Sequence, residues 1–120
     1  MRRRVYIAGP ISKGDLCANV RQADEAFFEL LRRGFAPLCP HWSAYAGGPY
    51  DAPRPQALPA GTTHADWMGA DLPWVAVADA VLRLPGESAG ADREVDLALA
   101  KRIPVFTRIQ TLAEYFEDPA

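Results

Sequence analysis

Residues 86–106, GESAGADREVDLALAKRIPVF, place a serine and small residues ahead of acids and an apolar helical stripe. At a predicted helix start, Ser88 offers a hydroxyl and the backbone around Gly90 offers N–H groups, which together could hold a phosphate. The same helix end favours an ionised carboxylate at Glu94, predicted in the first turn, where it could act as a nucleophile at neutral pH. A serine cap and early acids also suit any stable helix. Taken alone, the segment favours that structural interpretation.

Residues 5–14, VYIAGPISKG, form a second candidate element, an apolar run that ends in a loop. Gly9 permits a tight turn and a close backbone approach, and Ser12 and Lys13 could contact a phosphate, although neither dinucleotide-binding nor P-loop spacing is present. Tyr6 has two readings, a core aromatic or a hydroxyl directed into a crevice, and the core is the commoner place for it.

Residues 64–74, HADWMGADLPW, supply the third element. Asp66 and Asp71 are five positions apart and therefore lie on different faces of a helix, so at most one is expected to point at Glu94. Asp71 has apolar neighbours near Pro73, which would raise its pKa and suit it to proton donation. The alternative is a solvated helix acid.

Composition limits the classes of function. With 120 residues, 49% hydrophobic residues and no apolar run near the length of a membrane span, we expect one cytoplasmic domain and no membrane partner. A net charge of −2 makes a nucleic acid polymer an improbable partner. Cys17 and Cys39 fit two reduced thiols. No metal or cofactor is expected, because Cys39, His41 and His64 lack the spacing of metal ligands.

Strands and helices alternate along the chain. Residues 40–63 are predicted as a long loop, richest in Pro and Gly at about 43–63, and we favour a lid over the site. Pro73 should kink or restart its helix. The strands are predicted at 5–8, 35–39, 79–84 and 104–107, and the helices at 19–33, 64–77, 90–102 and 111–116.

This alternation predicts the α/β class, with one flavodoxin- or Rossmann-like domain over 1–120 built as a three-layer sandwich on a parallel sheet of four to five strands. Ligands of such sheets bind beyond the carboxyl ends of the strands. The loops at 9–15, 40–42 and 85–92 should therefore converge on one crevice, and they contain most of the residues of interest.

The segments YIAGPIS, DLPWVAVADAVLRLPG and SAGADREVDLALAKRIPVF resemble the nucleoside 2-deoxyribosyltransferase superfamily, over nearly the whole chain and most closely its short phage and prophage members. Glu94 and Ala98 match the pattern S/D-x-G-x-x-x-E-x-x-x-A around the family's catalytic Glu, which reverses the preference stated for the segment alone. The resemblance implies that Glu94 attacks C1′ and forms a glycosyl-enzyme ester. It also implies that Asp71 protonates the departing base and that Tyr6 orients the nucleophile.

Ser88 helps to choose within the superfamily. Transferases that act on free nucleosides carry an Asp six positions before the catalytic Glu, whereas Ser is similar to the branch that hydrolyses nucleoside 5′-monophosphates. By the same analogy Ser12, Lys13 and His41 would complete the phosphate pocket. The resemblance also implies a small nucleotide or nucleoside as the partner, and a homodimer or higher oligomer whose neighbouring subunit completes the pocket.

Three functions stay open. The leading one is hydrolysis of the N-glycosidic bond in ribo- or deoxynucleoside 5′-monophosphates, which releases a free base and a sugar 5-phosphate. The second is base exchange by a 2-deoxyribosyltransferase, which Ser88 disfavours. The third is a nucleotide-binding or sensing module without turnover, which the joint presence of Tyr6, Asp71 and Glu94 disfavours.

Overall fold

The computed structural model describes residues 1–45 and 61–117. Within these two ranges four strands and four α-helices alternate, and a short 3₁₀ helix follows the second strand. In chain order the elements are β1 (Arg4–Ala8), α1 (Leu16–Arg32), β2 (Ala36–Leu38), the 3₁₀ helix (Pro40–Tyr45), α2 (His64–Val75), β3 (Ala80–Arg83), α3 (Ala89–Ala100), β4 (Val105–Phe106) and α4 (Ile109–Glu117).

The strands form one parallel sheet in the order β2-β1-β3-β4, which confirms the predicted fold class with four strands. β1 and β3 are the central pair, and their register brings Ala8 opposite Arg83 at the carboxyl ends. From β1 the chain runs to β2 at one edge of the sheet, and then crosses back to β3 on the other side of β1. The crevice between these two strands is therefore the topological switch point, where parallel α/β sheets bind their ligands.

The two faces of the sheet carry separate apolar clusters. Val5, Ile7 and Leu82 pack with buried residues of α1 and α4, whereas Tyr6 and Val81 pack with buried residues of α2 and α3. This division follows from the alternation of side chains along a strand. It confirms the three-layer sandwich, and it places Tyr6 on the face covered by α3.

α1 begins three residues before its predicted start, because the Asp15 side chain accepts a hydrogen bond from the Ala18 N–H at 3.2 Å and caps the helix. Gly34 ends it as predicted, with φ at +92°, a backbone conformation open to glycine.

Part of the predicted loop is helical. The 3₁₀ helix occupies Pro40–Tyr45. It is held against α1 by Trp42, whose Nε1 donates to Asp24 at 3.2 Å and whose ring centroid lies 4.6 Å from that of Phe27. Six residues are too few to show a helical period, so neither the 3₁₀ helix nor the contact of Trp42 with α1 was predicted from the sequence. The lid prediction rests mostly on residues 46–60, which lie outside the described residues.

α2 runs through Pro73 as one helix, so of the two predicted effects, a kink or a restart, the restart is absent. Pro73 lies in the last turn, so its missing N–H removes a single helix bond near an end that frays in any case. At the other end Thr63 and Asp66 form a reciprocal capping box, which gives Asp66 a structural role. Within residues 1–45 and 61–117 no helix is long and apolar enough to cross a membrane.

Candidate active site

The site centres on a buried pair of side chains, Tyr6 and Glu94. The Tyr6 hydroxyl donates a hydrogen bond to Glu94 Oε2, and the exposed fractions of the two residues are 1% and 5%. Glu94 is the sixth residue of α3 and therefore lies in its second turn; the prediction of a first-turn position was wrong, and Asp92 is the acid in that turn. From the second turn of α3, the Glu94 side chain reaches Tyr6 on the central strand β1.

Burial governs the protonation of Glu94. Desolvation raises the pKa of this carboxyl from 4.5 to about 7; the hydrogen bond from Tyr6 and the charge of Arg83 oppose the rise, and the charge of Asp71 adds to it. Burial therefore opposes the carboxylate form that the helix end was expected to favour, and the helix field itself fades beyond the first turn. Burial and the nearby Glu94 raise the pKa of Tyr6 well above its usual value, so Tyr6 is a hydrogen-bond donor and not a base.

Asp71 is the second carboxyl of the site. It lies on α2, which packs against α3, and it is partly buried. Desolvation raises its pKa, in the direction expected from the sequence, and its charge raises the pKa of both Glu94 and Tyr6. The structure therefore brings together Tyr6, Asp71 and Glu94, one from each of three elements, whereas Asp66 is taken up by the helix cap.

Ser88 and Gly90 form the start of α3. Ser88 is the N-cap, and its Oγ accepts from the Ala91 N–H at 3.1 Å. A Cβ at Gly90 would lie 3.4 Å from Met68 Sδ on α2, an ordinary contact distance, so packing does not require glycine there. Ser88 has a structural role as the cap, and the first amides of α3 still point out of the helix end, as an anion site requires.

Gly9 and His41 meet beside the end of β3. A Cβ on Gly9 would lie 2.9 Å from Leu84 Cβ and 3.3 Å from His41 Nε2. His41 is fully buried, and neither ring nitrogen has a hydrogen-bond partner in the described chain. Burial lowers its pKa to about 4, which nearby backbone groups of Gly9 and Pro10 only partly oppose. The ring is thus neutral at pH 7 and enclosed, so it supplies no positive charge for a phosphate.

Ser12 and Lys13 lie on the exposed loop that follows β1. The Asn19 side-chain amide fixes this loop by donating to the carbonyl oxygens of Ile11 and Lys13, at 3.0 and 2.8 Å. Lys13 Nζ is 3.3 Å from Glu87 Oε1, and this exposed ion pair links the loop to the residue just before Ser88. A carboxylate therefore competes for the cation that the phosphate pocket was expected to use.

Sequence reasoning missed Arg83 and Gly86. Arg83 ends β3, donates to the carbonyl oxygens of Leu84 and Gly86, and pairs with Asp92 Oδ1 at 3.1 Å. Gly86 has φ of +117°, and a Cβ there would lie 2.7 Å from Pro10 Cγ. The available signal was a lone cation at the carboxyl end of a buried strand, followed by a glycine loop. An open cavity of about 390 Å³ borders this loop and is lined by Arg83, Leu84, Pro85, Gly86 and Thr107.

Metal ligands are not grouped in the described part of the chain. Among residues 1–45 and 61–117, no three side chains of the types His, Cys, Asp and Glu lie close enough together to hold a metal ion. The side chains at the centre of the site are the two carboxyl groups of Asp71 and Glu94 and the Tyr6 hydroxyl, and carboxyl groups can act as acid, base or nucleophile.

Comparisons with known proteins agree with this fold. The family model described as "Domain of unknown function (DUF4406)" matches residues 3–107. A solved structure of a 2-deoxyribosyltransferase from Bacillus psychrosaccharolyticus, described as a biocatalyst for nucleoside synthesis, is similar with a TM-score of 0.62 and 16% identity, covering 85% of this chain and 69% of that chain. No curated protein matches the chain. At such low identity the likeness shows a shared fold, and it confirms the resemblance noted in the sequence at that level.

Proposed function

Because this chain belongs to a family of unknown function, DUF4406, its activity has to be inferred from the site, and we propose that it is an N-glycosidase of nucleoside 5′-monophosphates. The observation that carries the proposal is the buried pair of Tyr6 and Glu94 beside Asp71, at the switch point of the sheet. Burying an ionisable carboxyl is unfavourable for folding, and such perturbed groups cluster at functional sites.

The first step of the proposed reaction is displacement at C1′. The ionised Glu94 carboxylate attacks C1′ as the bond between C1′ and the base nitrogen breaks. The Tyr6 hydroxyl holds one carboxylate oxygen, which leaves the other for attack. Asp71 donates a proton to the departing base, and burial raises its pKa, which favours the protonated form that a donor needs. In that form Asp71 carries no charge, so it no longer raises the pKa of Glu94.

The second step resolves the glycosyl ester on Glu94. A water molecule attacks C1′ and gives up a proton to Asp71, which now acts as a base, while Glu94 leaves as a carboxylate. The products are a free base and a sugar 5-phosphate, and both carboxyl groups return to their starting states. Two displacements at one carbon leave the configuration at C1′ unchanged.

The start of α3 supports a phosphate on the substrate. Ser88 and the first amides of the helix present hydrogen-bond donors and the positive end of the helix dipole, whereas a carboxylate at the Ser88 position would repel an anion. Lys13 lies near this helix start through its pairing with Glu87. His41 lies beside Gly9, and because burial lowers its pKa to about 4, it would meet a phosphate as a neutral hydrogen-bond donor.

Base exchange is the second candidate, because the neighbour in fold is a 2-deoxyribosyltransferase. The same glycosyl ester would then be resolved by a second base in place of water. Both functions require Glu94, and they differ in the acceptor and in whether the substrate carries a 5′-phosphate.

The test is chromatographic measurement of base release from ribo- and deoxynucleosides and their 5′-monophosphates, with and without an acceptor base. We expect release from monophosphates, abolished in Glu94→Gln and retained in Asp96→Asn, which alters an exposed acid on the same helix. Base exchange on unphosphorylated deoxynucleosides would instead establish the transferase. Binding of monophosphates without any turnover would establish the non-catalytic module.

A further inference from the structure

Arg83 lies at the carboxyl end of a central strand and has no role in the reaction proposed for Tyr6, Asp71 and Glu94. It is the last residue of β3, directly opposite Ala8 of β1, and it belongs to the set of strand side chains that alternate onto the face covered by α3. Its side chain is 17% exposed, so the guanidinium is largely enclosed. An enclosed charge needs partners, and Arg83 has three.

Those three partners all lie between β3 and Glu94. The guanidinium donates to the carbonyl oxygens of Leu84 and Gly86 in the connecting loop and to Asp92 in the first turn of α3, the last two at 3.0 and 3.1 Å. The loop therefore cannot move without breaking contacts to the strand, and the helix cannot rotate without breaking the ion pair. Glu94 follows two residues after Asp92, so its position depends on the same contacts.

The charge of Arg83 also acts on Glu94. Among residues 1–45 and 61–117, the titratable groups that act on Glu94 are Tyr6 from β1, Asp71 from α2 and Arg83 from β3, while β4 contributes only Val105 and Phe106. His64 lies farther away, against Gly90 at the start of α3. Tyr6 is neutral and Asp71 is an acid, so Arg83 supplies the positive charge in this group, and it lowers the pKa of Glu94.

We propose that Arg83 is a positioning residue for the nucleophile: it ties the loop after β3 to the first turn of α3, and it supplies the positive charge that favours the carboxylate form of Glu94. The kinetic part of this inference rests on the proposed function, since it assumes that Glu94 attacks as a carboxylate. The electrostatic part does not, because it concerns the protein without substrate.

The proposal is tested with Arg83→Gln, which removes the charge, and Arg83→Lys, which retains the charge but has all its donors on one nitrogen and cannot span the loop and the helix as the guanidinium does. Arg93→Gln is the matched control, an exposed arginine on the same helix turn as Asp92. Glu94 is titrated by NMR in protein labelled with ¹³C-glutamate, its signal being assigned by its loss in Glu94→Gln. Base release is measured in parallel as kcat and KM against pH, and thermal unfolding reports whether each variant folds.

In Arg83→Gln we expect the titration of Glu94 and the acidic limb of kcat to move to higher pH, with kcat at about pH 7 roughly fivefold to tenfold lower and KM within about twofold. Arg83→Lys should keep the titration near that of the unaltered protein and lose part of kcat, and Arg93→Gln should change neither. A folded Arg83→Gln protein with an unshifted Glu94 titration would overturn the inference.

If Arg83→Gln does not fold, Arg83→Lys decides, because unaltered kcat in that variant would contradict the positioning role. The two proposals fail in different ways. Absence of base release from every substrate would reject the proposed function, and the titration would still test Arg83. Base release together with an unshifted titration would reject the role of Arg83 alone.

Discussion

Glu94 shows most clearly how function opposes stability at the scale of a single residue. Its pKa is higher in the folded chain than the ordinary value of 4.5, so the folded state binds this proton more tightly than the unfolded state does. The contribution of Glu94 to stability is therefore fully present below about pH 4.5 and is lost as the pH rises through about 7. A purely structural residue at this position would not need to ionise.

Glu94→Gln should stabilise the protein at alkaline pH. The amide keeps an oxygen for the Tyr6 hydroxyl and removes the buried charge, so the free energy of unfolding at about pH 8 should rise by up to about 3 kcal/mol, with little change near pH 4. Thermal unfolding at both pH values measures this. Asp96→Asn should show no such pH-dependent gain, and an equal gain in both variants would contradict the role of burial.

Tyr6→Phe should shift the pH dependence of catalysis. The hydroxyl favours the ionised form of Glu94, so its loss should raise the pKa of Glu94, move the acidic limb of kcat to higher pH and lower kcat at about pH 7 roughly tenfold. Steady-state rates across the pH range measure the shift. Tyr115→Phe on the exposed surface is the control, and an unchanged limb in Tyr6→Phe would count against the hydrogen bond.

Glu87→Gln should improve the binding of phosphorylated substrates. Lys13 is paired with Glu87, and an exposed pair of this kind is worth at most about 1 kcal/mol, so releasing the lysine should lower KM for monophosphates by up to about fivefold. KM for unphosphorylated nucleosides should stay the same. An equal change for both substrate classes would show that Lys13 does not reach the phosphate.

At the scale of elements, the loops after β1 and β3 interlock through glycines. Gly9→Ala would place a Cβ 2.9 Å from Leu84 Cβ, an atom held by its own backbone, and should destabilise the protein by about 1–3 kcal/mol. Gly69→Ala is the control: its Cβ would meet nothing within 4 Å, and alanine in a helix should stabilise by up to about 1 kcal/mol. Denaturant unfolding compares the two, and equal effects would contradict the close packing at Gly9.

The strands and helices could be predicted because each has a short local signal. Apolar runs mark the strands, and Gly34 marks the end of α1, whereas the cap at Asp15 was missed and the start of α1 was predicted three residues too late. The 3₁₀ helix was missed because Trp42 holds it through a contact to α1, a distant part of the chain. The turn that contains Glu94 was misplaced because the cap residue sets the count along the helix, and with Ser88 as the cap Glu94 is the sixth residue of α3.

For the whole molecule, the parallel sheet and its crevice followed from the alternation of elements, and residues from three loops and two helices do converge there. The chemistry of the crevice was harder to predict, since it depends on burial that sequence does not express. Burial lowers the pKa of His41, which no sequence pattern indicates, and its binding of phosphate stays a prediction. Arg83 was overlooked because only the fold brings it to its partners Gly86 and Asp92. The expected oligomer and cytoplasmic location stay predictions.

The most direct test of the central claim is intact-protein mass spectrometry after the protein is mixed with a deoxynucleoside 5′-monophosphate and quenched rapidly in acid. We predict a mass increase of one deoxyribosyl phosphate unit, located by peptide mapping on Glu94 and absent from Glu94→Gln. Base release from a chain that never carries this adduct, or an adduct on any other residue, would contradict the assignment of Glu94 as the nucleophile.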